Sequence, residues 1–247
     1  MHIGVLTIFP EMFVEFLATS LVGKAISAGA LKVETHNLRS FTTDRHQSVD
    51  DEPYGGGGGM VMAAPPWIAA VRAVGGSDRP LRVLLSPQGA RLNDAKVREI
   101  ATCSELILLC GRYEGVDERV RELVVDEEIS IGDYVLSGGE VAAMVLIEAV
   151  SRQIPGVVGR PDSVERDSFR EGLLDFPHYT RPRGVEGLEV PQVLLSGDHQ
   201  AIETWRQKQA LLATLRKRPD LLQTAKLTEA QSKILEELKG QESATDE

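Results

Sequence analysis

The stretch from Ile129 to Glu140 reads Ile-Ser-Ile-Gly-Asp-Tyr-Val-Leu-Ser-Gly-Gly-Glu, and its residue types suit main-chain recognition of a ligand. Gly132, Gly138 and Gly139 carry no side chains, so the backbone turns sharply and a ligand can approach its N–H and C=O groups. Tyr134, Val135 and Leu136 add an apolar wall. Such a loop fits a flat, neutral ring such as adenine. Two further glycine loops lie upstream, Ser86 to Gly89 and Gly111 to Gly115. A single loop of this kind reads as a plain strand end. Three after successive strands converge beyond the carboxyl ends of a parallel sheet, where open α/β folds bind ligands.

The elements that must carry these loops alternate. Strands are expected over His2 to Phe9, Leu31 to Leu38, Arg82 to Ser86, Glu105 to Cys110 and Val125 to Ile131. Glu105 to Cys110 is apolar throughout its interior, the mark of a strand buried on both faces. One helix is expected from Pro10 to near Gly29, with Met12, Phe13, Phe16, Leu17 and Leu21 on its inner face. Others follow Pro65 and Pro66, the cap residue Asn93, Val116 (through Val120 and Leu123) and Glu140. The alternation predicts a parallel sheet with helices on both faces. After Gly159 the pattern changes. Residues 160–183 are charged and proline-bearing, a linker or functional loop between a domain over 1–159 and a small helical domain over 184–247. Thr228 and Gln231 form a capping box before the last helix.

Composition narrows the function classes. The chain has 247 residues, 42% apolar and 26% charged, with a formal charge of −10, which argues against a general polyanion binder. A local cluster of Arg206, Lys208, Arg216, Lys217 and Arg218 remains; on pattern alone it is a solvated helix face. Cys103 and Cys110 have no Cys or His neighbours and read as buried, reduced thiols, so no metal site is expected. The first residues lack the features of a signal peptide, and no apolar run reaches membrane-spanning length; a cytoplasmic location is expected. The run Gly55 to Gly59 is no dinucleotide fingerprint, because Met60 stands where glycine is required, and no P-loop lysine follows. It is a mobile lid, a close backbone contact or a flexible turn.

Taken in order, Pro53-Tyr54-Gly55-Gly56-Gly57, Ser86-Pro87-Gln88-Gly89, Gly111-Arg112-Tyr113-Glu114-Gly115 and the Ser130 to Glu140 loop resemble the bacterial tRNA (guanine-N1)-methyltransferase family. Asp167-Ser168-Phe169, Leu173-Leu174-Asp175 and Pro177-His178-Tyr179-Thr180-Arg181-Pro182 extend the resemblance over nearly the whole chain. It implies a SPOUT-type sheet with a trefoil knot, a homodimer with shared active sites, and S-adenosylmethionine as donor. The reaction implied is methylation of the guanosine immediately 3′ of the anticodon in tRNA. By this resemblance Gly111, Ile131, Gly132, Asp133, Tyr134, Val135 and Leu136 cradle the adenine. Leu85, Pro87, Tyr113, Glu114, Gly115, Ser130 and Gly138 complete the cofactor site.

The resemblance also assigns the chemistry. Asp167 becomes the base that takes the proton from guanine N1; read without it, an aspartate in a charged linker is a solvated loop residue. Arg152, by pattern an ordinary cation at a helix C-terminus, becomes the group that holds guanine O6 or a phosphate. Ser168 and His178 are candidate guanosine contacts, with a packed loop histidine the other reading of His178. Arg206 and Lys208 are candidate contacts to the anticodon arm. Magnesium dependence is implied without any ligand signature. The competing readings are a ribose 2′-O-methyltransferase on the same fold and a non-catalytic RNA-binding assembly factor.

Overall fold

The computed structural model describes residues 1–76, 79–158 and 167–243, and the chain divides into two compact units, Met1–Pro161 and Asp162–Glu247. In the first, five strands form one sheet: β1 (His2–Thr7), β2 (Lys32–Asn37), β5 (Leu81–Arg91), β6 (Glu105–Cys110) and β7 (Glu127–Ser130). Their order is β2-β1-β6-β5-β7, and every neighbouring pair is parallel. A short antiparallel hairpin of β3 (Asp50–Asp51) and β4 (Val61–Met62) carries the glycine run at its tip.

Alternation along β6 sets the layers. Leu106, Leu108 and Cys110 face one core, which the helices α2 (Ser20–Ser27), α4 (Asp94–Ala101) and α6 (Glu140–Ser151) cover. Ile107 and Leu109 face the other, closed by α3 (Ala64–Val74) and α5 (Glu118–Val124), with Trp67 fully buried. Both faces of the central strand are therefore dry, as its apolar run requires. Local signals set the helix starts. Asn93 Oδ1 accepts from the Lys96 N–H at 2.9 Å, and the Asp117 carboxylate caps α5 through the Arg119 N–H.

Two local expectations change. The helix from Pro10 is not continuous: α1 (Val14–Ala18) ends at Thr19, and α2 starts afresh at Ser20, which takes φ 57°. A Cβ on Gly23 would stand 2.6 Å from the Ala18 carbonyl carbon and oxygen, so α2 packs on α1 at backbone distance. In α5 it is Val124, not Leu123, that points inward; Leu123 is 60% exposed.

The second unit has its own small core of Leu173, Leu211 and Leu238. It draws on α7 (His199–Lys217) and α8 (Glu229–Ser243), with Leu173 supplied from the preceding loop. The Leu174 N–H donates to Thr214 Oγ1 on α7 at 2.9 Å. The capping box forms as expected: the Thr228 N–H donates to Gln231 Oε1, and the Gln231 N–H to Thr228 Oγ1.

Candidate functional site

The first pocket loop is a detour inside β5. Leu85 and Ala90 both pair with Ile129, and the residues between them bulge outward. Gly89 lies against the main chain of Glu128 and Ile129, leaving no room for a Cβ. The second loop follows β6. Tyr113 sits at φ 60° and Gly115 at φ 134°. Three main-chain bonds tie this loop to the glycine hairpin: Glu114 N–H to Met60 O (3.0 Å), Met62 N–H to Gly115 O (2.9 Å) and Asp117 N–H to Met62 O (3.0 Å). The third loop follows β7, where Ser130 Oγ and the main chain of Gly132 bond each other. It returns beneath the second: the Gly139 N–H donates to Gly111 O at 2.9 Å. A Cβ on Gly139 would stand 2.8 Å from Cys110 Cα.

These loops enclose a cavity of ≈ 300 Å³ beside the detour in β5 and at the carboxyl ends of β6 and β7. Leu85, Pro87, Gly111, Tyr113, Glu114, Gly115, Ser130, Ile131, Gly132, Tyr134, Val135, Leu136 and Gly138 all line it. Asp133 does not; its carboxylate turns to the Arg91 guanidinium. Among the described residues, the main chain of Val135 and Leu136 makes no hydrogen bond. Those groups are open to a flat ring bearing both donors and acceptors. Cys110, next to Gly111, is fully buried, and burial holds its thiol well above the ordinary pKa. Cys103 is only half-buried, where a buried thiol was expected.

Beneath the pocket lies a polar network to which the sequence reading assigned no role. Glu140 opens α6 and is only 1% exposed. Its Oε1 accepts from Thr7 Oγ1 at 2.7 Å and its Oε2 from Arg112 Nε at 3.0 Å. The Arg112 guanidinium also lies 4.5 Å from the centroid of the Phe9 ring. The available signal was an acid heading an apolar helix, where the dipole favours it. Its partners were not legible.

Arg152 caps the opposite end of α6, where its N–H donates to Glu148 O at 3.4 Å. Twelve helical residues put it roughly 18 Å along the axis from Glu140, so one chain does not bring Arg152 to its own pocket.

In the second unit, Asp167 lines a cavity of ≈ 330 Å³ together with Arg206. Ser168 Oγ accepts from the Asp175 N–H at 2.9 Å, and His178 Nε2 lies 2.9 Å from Asp175 Oδ2. The Phe176 and His178 rings lie tilted by 45° with centroids 4.7 Å apart, and the His178 side chain is 69% exposed. Lys208 is half-buried on α7, Arg216 and Lys217 are exposed at its end, and Arg218 pairs with Asp220 at 2.7 Å. Among the described residues there is no cluster of three or more metal-ligating side chains, and no helix long and apolar enough to cross a membrane.

Sheet, loops and cavity define a parallel-sheet α/β protein with a loop-built ligand pocket. The sequence model described as tRNA (Guanine-1)-methyltransferase TrmD matches residues 1–224. The chain is 53% identical to the tRNA (guanine-N(1)-)-methyltransferase of Carboxydothermus hydrogenoformans, over 95% of this chain and 92% of that protein. It is 54% identical to that of Shewanella oneidensis, over 95% and 96%. It is 52% identical to that of Moorella thermoacetica, over 98% of both. The chain belongs to the tRNA (guanine-1)-methyltransferase TrmD family, as its motifs implied.

Proposed function

We infer that this chain methylates N1 of the guanosine immediately 3′ of the anticodon in tRNA, with S-adenosylmethionine as donor. The observation that carries the reading is the three-loop cavity in a chain matched to this family over residues 1–224. The residues fit the donor. Glycines at 111, 132, 138 and 139 keep the walls at main-chain distance, and Val135 and Leu136 offer open main-chain groups for adenine. When bound, S-adenosylmethionine supplies an electrophilic methyl group.

The chain's own residues supply the rest. Guanine N1 is a poor nucleophile until its proton leaves; Asp167 accepts that proton and frees the lone pair for attack. Arg152 holds guanine O6 or an adjoining phosphate and offsets the negative charge that gathers as N1 is deprotonated.

The working unit is a cytoplasmic homodimer with shared sites. Arg152 and the pocket stand at opposite ends of α6, so the pair that serves one guanine comes from two copies. Val141 and Val145 leave an apolar stripe exposed on α6, and Val135 in the third loop is 83% exposed, which suits burial against a second copy. The backbone approaches at Gly89 and Gly139 support a knotted passage of the third loop past β5 and β6. The domain from 1 to 159 then carries the cofactor, 160 to 183 the linker and 184 to 247 the grip on the anticodon arm. Incubation with labelled S-adenosylmethionine and unmodified tRNA transcripts should yield 1-methylguanosine at one site. A 2′-O-methyl nucleoside, or unlabelled RNA, would overturn the reading.

A further inference from the structure

Residues 133–137 of the third loop include the open main chain offered to adenine, yet little holds them in place. Glycines flank the segment, Gly132 and Gly138, and Gly132 takes φ 157°, a conformation that residues with side chains rarely adopt. The Tyr134 N–H donates to Gly132 O at 3.0 Å and the Tyr134 hydroxyl to Ile131 O at 3.3 Å, so both bonds stay inside the loop. Among the described residues, one hydrogen bond ties the segment to a residue outside the loop: the Asp133 carboxylate accepts from the Arg91 guanidinium. The main chain of Arg91 is fixed. It closes β5 opposite Ser130, and the next N–H, that of Leu92, donates to Ser130 O at 2.8 Å.

We propose that Arg91 and Asp133 form a latch that holds the main chain of Val135 and Leu136 ready for the donor; the proposal rests on the donor site given above. Arg91 is then a positioning residue, and Asp133 serves the site through Arg91 and not by touching the ligand. A segment between two glycines samples many conformations, and a ligand that needs one of them must meet the cost of ordering it. Tethering Asp133 to the end of β5 removes part of that cost before the ligand arrives. The Arg91 and Asp133 side chains are 66% and 85% exposed, so the pair contributes only what a surface ion pair can, and salt weakens it. A small contribution suits a loop that must admit and release its ligand at every turnover.

Calorimetry of the full-length protein with S-adenosylmethionine tests the latch. Wild-type binding by itself tests the parent reading, since it needs no variant. Arg91→Ala and Asp133→Asn should each raise Kd about two- to fivefold, the scale of one exposed ion pair. The double variant should bind no more weakly than either single one. Exchanging the charges, Arg91→Asp with Asp133→Arg, should recover most of the loss that Arg91→Asp causes alone. In transfer assays Arg91→Ala should raise KM for the donor and hold kcat, and the gap in Kd between it and wild type should close at high salt. If Asp133 instead meets the donor directly, Arg91→Ala leaves that carboxylate free and binds at least as tightly as wild type, while the exchanged pair rescues nothing. Either result, or losses that add in the double variant, overturns the latch.

Discussion

Arg112 and Glu140 join the second pocket loop to the helix that leaves the third: Arg112 Nε donates to Glu140 Oε2 at 3.0 Å, while Thr7 holds the other oxygen from the end of β1. One buried carboxylate at the start of α6 thus ties together the ends of β1 and β6. Replacing Glu140 with Gln keeps the size but loses the charge beside a half-buried guanidinium. Stability should fall by about 2–4 kcal/mol, below the upper range for breaking a buried pair because Arg112 keeps some solvent. Urea unfolding of single and double variants measures this. Arg112→Ala added to Glu140→Gln should cost less than the sum of the two.

Gly139 offers a sharper test of the pocket. An alanine there would put its Cβ 2.8 Å from Cys110 Cα and 3.2 Å from Leu85 Cβ, neither of which can swing aside. Gly139→Ala should lose about 1–3 kcal/mol to overpacking and bind S-adenosylmethionine much more weakly. Calorimetry showing wild-type affinity would mean that the donor does not use these walls.

Arg82 and Asp126 form a two-bonded pair, with Nε to Oδ2 at 2.7 Å. The Arg82 guanidinium holds the Asp126 carboxyl below its ordinary value of 3.8. A carboxyl lowered in the fold adds stability above its unfolded pKa and loses it as pH falls through the folded value. Unfolding free energy should therefore drop as pH falls below 3.8, and Asp126→Asn should flatten that drop. Both groups are about a third exposed, so the effect is screened to about 1 kcal/mol or less.

Thr228→Ala removes one half of the capping box on α8 and should cost about 1 kcal/mol. The loss should appear as a lower melting temperature with methyl transfer retained. Loss of transfer at full stability would contradict a purely local role.

Asp167→Asn should abolish turnover and leave S-adenosylmethionine affinity intact, while Arg152→Ala slows transfer. Mixing Asp167→Asn with a pocket variant such as Gly139→Ala tests the shared site. Heterodimers pairing an intact pocket with an intact base should regain activity; mixtures as inactive as their parents would show that each copy works alone.

Much of this was written in near-neighbour chemistry. The apolar run of β6 announced a strand dry on both faces, and Asn93 and the Thr228–Gln231 pair marked helix starts within a few residues of the groups they bond. The three glycine loops were legible because glycine has few other uses at strand ends, and the order of the strands then placed the loops together. Periodicity failed where packing chose between adjacent residues, as at Leu123 and Val124, or broke a helix, as at Ser20.

The sequence by itself determined the alternation of strands and helices, the loops that build the pocket and the family to which the motifs belong. Only the tertiary structure decided which side chains meet. Thr7 and Glu140 lie 133 residues apart and bond at 2.7 Å; Asp133 leaves the pocket for Arg91, and Arg206 leaves a supposed basic face for the cavity of Asp167. The reason is physical: caps, turns and periodic faces depend on residues a few positions away, whereas a pair between distant segments exists only once the sheet and cores have fixed where those segments lie.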